Sequence, residues 1–278
     1  MAVSGIGRVH LNVSNLERAT YFYQEAFGFQ VIKQQDLQTT LGTSNGTALL
    51  VLHKVNNLQP RKRTTGLFHI AIRLPSREDL ARLVYHLVNN SVDLEGVADH
   101  GVSESLYLTG PDGAGIELTC DRPEEDWPVD EENQLDMGTE ELNLDNLMMS
   151  LQHKEKKYTG LPNGTTIGHI HLAVKELVLS ETFYSNLGLE LTQVYGDNAL
   201  FFAGGDYHHH VGLNTWHTAG ADPLPPDTAG LRYFELVYQT PEDLQTALTN
   251  LTAAGIPIQE EESGPIVTDP SGIKILLK

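Results

Sequence analysis

The sequence predicts an α+β fold assembled from four copies of a βαβββ module, and three observations predict it. IGRVHLNV at residues 6–13 recurs as IGHIHLAV at 167–174, an offset of 161, which marks an internal duplication. The match continues with Phe22-Tyr23 against Phe183-Tyr184 and Gly28 against Gly188. Each half then divides again. GLFHIAIRL at 66–74 and GLRYFELVY at 230–238 open as the two first segments do, with a short strand leading into a helix. The four modules lie near 6–56, 66–120, 167–217 and 230–278.

In the first module, Val9, Leu11 and Val13 alternate with Arg8, His10 and Asn12, the period of two that marks a half-buried strand. Ser14-Asn-Leu-Glu17 reads as a capping box that opens a helix. Leu16, Tyr23 and Phe27 keep helical spacing, and Gly28 is a C-terminal stop. Residues 39–55 then form two strands around the Ser44-Asn45-Gly46 turn. In the second module the helix starts at Pro75-Ser76-Arg-Glu78-Asp79, with Leu80, Leu83 and Leu87 as its apolar stripe. The fourth module uses Thr240-Pro-Glu-Asp243, then Leu244, Leu248, Leu251 and Gly255. Between the halves the composition changes. Residues 121–132 are acidic with two prolines, and 141–151 suit one helix with Leu144, Leu147 and Leu151 inward. The expected organisation is a domain over 1–122, an acidic linker with a helix over 123–166, packed through that helix and Trp127, and a second domain over 167–278.

The chain has 278 residues, 40% of them hydrophobic and 20% charged, as suits a globular protein of two domains. Eighteen Lys and Arg stand against 37 Asp and Glu, a formal charge of −19, which repels phosphate backbones and argues against nucleic-acid binding. The basic runs Arg61-Lys-Arg63 and Lys154-Glu-Lys-Lys157 read as solvated loops. A single cysteine, Cys120, excludes an intramolecular disulfide framework and a CxxC metal or redox site. The start carries no basic region followed by a long apolar run, and residues 48–52 are too short to span a bilayer. The expectation is a cytoplasmic protein that handles a small molecule.

Three polar residues interrupt apolar strands in the first half: His10, His69 and Glu117. A carboxylate buried without a partner costs several kcal/mol, so Glu117 needs one. A lone strand histidine is more often a hydrogen-bonded core residue than a ligand. Three such residues at module-equivalent places form the 2-His-1-carboxylate set used with non-haem Fe(II) and oxygen, and these three are the expected metal ligands.

Ile6-Gly-Arg-Val-His10-Leu-Asn-Val13, Gly66-Leu-Phe-His69-Ile-Ala-Ile72 and the run from Asp99 through Tyr107 to Glu117 together resemble the vicinal-oxygen-chelate superfamily of glyoxalases, bleomycin-resistance proteins and extradiol dioxygenases. Within it they are most similar to the bacterial catechol-2,3-dioxygenase group, as are Ile167-Gly-His-Ile-His171 and the run from Tyr207 to Trp216. The resemblance covers nearly the whole chain. It implies two tandem domains and ring cleavage of an aromatic diol with O2 on Fe(II), or on Mn(II) in its place. In the commonest extradiol pattern the metal lies in the C-terminal domain. Here the repeat sets His171 opposite His10, Tyr233 opposite His69 and Lys274 opposite Glu117. A charged lysine opposes a cation, so the working site is expected in the N-terminal half and the C-terminal set is degenerate.

The same resemblance implies roles outside the ligands. Tyr107, ten residues before Glu117, matches the family's spacing for an active-site tyrosine. His100 and His53 are the candidate acid–base groups. His208, His209 and His210 cannot all face one way in a strand. Glyoxalase-type isomerases add a fourth, carboxylate ligand in the last strand of the first module. That strand here, Ala48-Leu-Leu-Val-Leu-His53, has no acid, which favours the dioxygenase. The alternatives are an isomerase, lyase or thiol transferase, and a metal-free drug-sequestering protein. The expected partners are the diol and O2, with a homodimer or higher homo-oligomer as the prior for assembly.

Overall fold

The computed structural model describes residues 2–56, 59, 62–132, 134–151 and 157–278. The first module is β1 (Val3–Val13), α1 (Leu16–Phe27), β2 (Gln30–Gln35), β3 (Gln38–Gly42) and β4 (Ala48–Lys54). The second is β5 (Gly66–Arg73), α2 (Arg77–Asn89), β6 (Gly96–Asp99), β7 (Ser103–Thr109) and β8 (Gly115–Asp121). The linker contributes α3 (Leu144–Met149). The third module is β9 (Thr166–Ala173), α4 (Leu177–Asn186), β10 (Glu190–Tyr195), β11 (Ala199–Ala203) and β12 (Val211–Asn214). The fourth is β13 (Gly230–Tyr238), α5 (Pro241–Ala253), β14 (Ile258–Glu261), β15 (Gly264–Thr268) and β16 (Lys274–Leu277). The α+β class and the fourfold module follow the repeats in the sequence.

Local chemistry explains the helix ends. The Ser76 side chain accepts from the Asp79 N–H, and Thr240 does the same for Asp243, each satisfying one orphan donor of the first turn. At α1 the cap sits one residue later than the capping box implies. Asn15 accepts from the Arg18 N–H, while the Ser14 hydroxyl donates to Asp112 at 2.6 Å. Gly28 closes α1 with φ of 71°, a conformation that favours glycine. In α2, Leu80, Leu83 and Leu87 are fully buried, the stripe expected from their spacing. The linker helix is shorter than 141–151, but Leu147 and Leu151 are buried.

The pairing of modules is the feature that the repeats do not reveal. β1 runs antiparallel to β13, with His10 opposite Tyr233, and parallel to β4. β5 runs antiparallel to β9, with His69 opposite His171, and parallel to β8, with Ala71 opposite Glu117. Module one therefore pairs with module four, and module two with module three. One path of strands, β14-β15-β16-β13-β1-β9-β5-β8-β7-β6, crosses both halves, joined between β1 and β9 at Ile6 and Ile167. The helices cover its outer side over Val9, Leu11, Ile70, Ile72, Ile170, Leu172 and Phe234, all buried.

Of the two basic runs, Arg61 and Lys154 to Lys156 lie outside the described residues. Arg63 is not simply solvated, since it donates to the carbonyls of His217 and Ala219 at 2.7 and 3.2 Å. No helix among the described residues is long and apolar enough to cross a membrane.

Candidate metal centre

The register between β5 and β9 slips by one residue at Phe68. Leu67 faces Leu172, yet His69 faces His171. The extra residue is a β-bulge, which re-aims side chains, and both Phe68 and His69 consequently line the same cavity. On β9, His169 and His171 share one face while Ile170 and Leu172 enter the core, as a period of two requires. Glu117 comes in from β8.

These strands bring His69, His169 and Glu117 together. Nε2 of His69 and Nε2 of His169 lie 2.9 and 3.0 Å from Oε2 of Glu117, and 3.3 Å from each other. All three residues are buried, and among the described residues they form the group whose atoms are placed to hold a metal ion. Ligands at right angles, each about 2.1 Å from a metal, stand about 3.0 Å apart, so this triangle has the spacing of three neighbouring octahedral positions. Two imidazole nitrogens converging on one carboxylate oxygen is a donor set that fits a divalent cation.

The electrostatics agree with a cation-binding arrangement. Burial pushes the Glu117 carboxyl up, but His169 and His69 outweigh it and hold it well below the usual carboxylate range. Burial lowers His169, partly offset by Glu117. His171 is pushed well below the usual imidazole value by burial and by its neighbours His69 and His169. Its Nε2 is buried without a hydrogen-bond partner.

His10 is not part of this group, which corrects the ligand set expected from the sequence. Because β1 pairs with β4 and β13, His10 meets their side chains instead. Its Nδ1 lies 3.0 Å from Nε2 of His53, its ring stacks on Tyr233 at 3.9 Å, and its Nε2 is 3.7 Å from Glu235. His53 accompanies it and does not line the cavity, which corrects its place as an acid–base candidate there. Burial, with Arg232 and His10 adding to it, lowers His53 to about 3. The cluster also draws on both halves of the chain rather than on the N-terminal half alone. The ligand-type residue missed from the sequence is His169. The offset of 161 sets it against Arg8, which is bound to Glu235 at 2.6 Å. Its signal was present, two positions before His171 on the same strand face, but choosing it requires knowing which modules pair.

Tyr107 and His100 do lie at the cavity. Tyr107 stands opposite Glu117 on β7. The His100 ring bonds at both nitrogens, Nδ1 to the Gly138 carbonyl at 2.8 Å and Nε2 to the Tyr107 hydroxyl at 2.7 Å. A carbonyl only accepts, so Nδ1 carries the proton and the Tyr107 hydroxyl donates to Nε2. Burial, reinforced by Glu117, raises the Tyr107 phenol far above its usual value.

The cavity holds about 240 Å³. Phe68, Tyr195, Phe201 and Trp216 supply aromatic walls, and the linker supplies Met137, Gly138 and Thr139. Gln193 clamps this part of the linker, accepting from the Met137 N–H at 3.1 Å and donating to its carbonyl at 3.0 Å. Residues Asp99 and Glu140 add a pair of backbone bonds of 2.9 Å. The three consecutive histidines lie in the loop before β12 and point to different partners. His209 lines the cavity, His208 turns to Asp121, and His210 accepts from the Gly204 N–H.

With fold and cluster described, the chain can be placed. It belongs to the Glyoxalase/Bleomycin resistance protein/Dioxygenase superfamily, whose family model matches residues 5–118 and 166–277. It is 39% identical over 269 residues to a catechol-2,3-dioxygenase of Bacillus subtilis (strain 168), covering 95% of this chain and 93% of that protein. Its fold is similar to glyoxalase I from Zea mays, with a TM-score of 0.60 at 16% identity over 98% of this chain and 91% of the other. It is also similar to the cppA protein of Streptococcus pneumoniae TIGR4, with a TM-score of 0.58 at 10% identity over 99% of each chain.

Proposed function

We propose that the protein is an extradiol ring-cleaving dioxygenase of the catechol-2,3-dioxygenase kind, with His69, His169 and Glu117 holding Fe(II), or Mn(II) in its place. The observation that carries the reading is the triangle of donor atoms, 2.9, 3.0 and 3.3 Å on its sides, opening into an aromatic-walled cavity. The relative named as a catechol-2,3-dioxygenase supports the same reading. When bound, such a metal supplies a Lewis acid that lowers the pKa of the diol and an electron path between diol and dioxygen.

The chain's own residues do the rest. His69, His169 and Glu117 would hold the metal, which would supply the binding of the diol and of O2. The walls exclude water, which strengthens every polar interaction inside. Tyr107 stays protonated beside Glu117, its single O–H directed to Nε2 of His100. His171 lines the cavity, and its Nε2 is buried without a hydrogen-bond partner. His209, buried against His169 with ring centroids 4.1 Å apart, is the second imidazole placed to move a proton, in the role first considered for His53.

Two features narrow the reading. Glu117 is the one carboxylate among the described residues that line the cavity, whereas the isomerases of this superfamily resemble the fold but use a further acidic ligand. No lysine or arginine lines it either, so the favoured diol carries apolar substituents rather than a carboxylate. The test is anaerobic loading with Fe(II), then catechol and air. A yellow semialdehyde-like product is expected, with 4-methylcatechol turned over at least about tenfold more efficiently than 3,4-dihydroxybenzoate, since an unpaired buried carboxylate costs on the order of several kcal/mol. No product from any neutral catechol, with metal bound, would overturn the assignment.

A further inference from the structure

A chain of polar groups runs from Asp121 behind the cavity wall through His208 to His209 at the cavity. Asp121 ends β8, and its Oδ2 accepts from Arg73 at 2.9 Å and from the Tyr207 hydroxyl at 3.0 Å. Its Oδ1 lies 3.3 Å from Nε2 of His208, and Nδ1 of His208 lies 2.8 Å from Nδ1 of His209. Trp127 of the linker packs on the edge of His208 at 5.2 Å and donates its indole N–H to the Arg122 carbonyl. His208 is 1% exposed and does not line the cavity, whereas His209 does. Burying an imidazole beside a carboxylate is costly unless both are hydrogen-bonded.

The proton positions follow from the partners. Burial raises the Asp121 carboxyl, but His208 and Arg73 outweigh it and hold it below its usual value, so Asp121 is a carboxylate and only accepts. Nε2 of His208 must therefore carry the proton. A neutral imidazole has one N–H, so Nδ1 of His208 accepts, and the N–H between the two rings belongs to Nδ1 of His209. The remaining nitrogen of His209, Nε2, then carries a lone pair. We propose that His208, oriented by Asp121, is a positioning residue that fixes His209 as the Nδ1–H tautomer and so presents a proton acceptor to the substrate. This rests on the dioxygenase reading for its purpose, but not for its geometry.

The experiment is ring-nitrogen spectroscopy of the full chain, labelled with 15N-histidine and loaded with diamagnetic Zn(II), with the His209 signals assigned by their loss in His209→Gln. His209 is expected to show a protonated Nδ1 and an unprotonated Nε2. His208→Asn keeps an accepting oxygen near the place of Nδ1 and should preserve that tautomer. His208→Leu removes the acceptor and should shift or mix it. In the Fe(II)-loaded enzyme, His208→Leu should lower kcat for catechol by about 100-fold, the lower end for a proton-transfer group, with KM within about threefold and metal content unchanged. His208→Asn should restore most of the rate. A proton on Nε2 of His209 in the unsubstituted protein, which a doubly protonated His208 would impose, overturns the proposal. So does an unaltered tautomer in His208→Leu. Should the protein cleave no catechol, the dioxygenase reading fails by itself, and the spectra still decide the chain of protons. Should His208→Leu not fold, the unsubstituted protein and His208→Asn still decide it.

Discussion

Substituting His169 separates the site described here from the one the sequence alone suggests. His169→Ala and Glu117→Gln should each reduce bound iron or manganese to less than about a tenth of the unsubstituted content, because each removes one of three ligands. His10→Ala should leave the metal content unchanged. Elemental analysis of the purified proteins checks all three, and metal lost from the His10 variant would count against the cluster. The polar strand residues His69, Glu117 and Tyr107 were legible because each stands in an apolar strand where burial demands a partner. His10 carries the same signal for a different reason. It is buried against Glu235, His53 and Tyr233, and the sequence pattern around it does not tell these partners from a metal. Glu235 belongs with it energetically. Burial raises this carboxyl, but the neighbouring His10 and the bonds from Arg8 hold it at about 2. A carboxyl depressed in the folded state binds fewer protons there than in the unfolded chain. Its contribution is therefore complete above about 4.3, the unfolded value, and drains away as pH falls toward 2. Urea unfolding between about pH 4.5 and 2 should show a shallower loss of stability for Glu235→Gln than for the unsubstituted protein.

Among the elements, helices were more legible than strand partners. Caps are local: Ser76, Thr240 and Gly28 could be read within one turn of chain, and the one miss, Ser14 for Asn15, arose because Ser14 bonds to Asp112, 98 residues away. The slip at Phe68 had no local mark, since a bulge is a relation between two strands rather than a property of one. Gly28 is where the linker presses on the first module. A Cβ there would collide with the backbone of Gly160, in addition to the cost of a φ of 71°. Gly28→Ala should therefore destabilise the protein by about 2 kcal/mol or more, read as a lower midpoint in chemical unfolding. Gly46→Ala, with open space around it, should cost only the local strain of its positive φ, about 1 kcal/mol.

At the scale of the whole molecule, the duplication was plain from residues 6–13 and 167–174, but which copies clasp one another was not. Three pairings of four similar modules satisfy the same periodicities, and only long-range strand pairing chooses among them. The consequence is measurable. A tagged fragment of residues 1–122 should fail to retain metal although it carries His69 and Glu117. Co-expressed with residues 160–278 it should co-purify with that fragment, through β1 with β13 and β5 with β9, and recover metal. Metal held by the first fragment alone would contradict the pairing.

The stretch joining the two halves is also a wall of the cavity, held by Gln193 at Met137 and by His100 at Gly138. An insertion near Met137 would reshape the cavity while leaving the sheet behind it untouched. A change in the connecting segment would therefore alter the shape of the cavity without altering the strands that carry His69, His169 and Glu117.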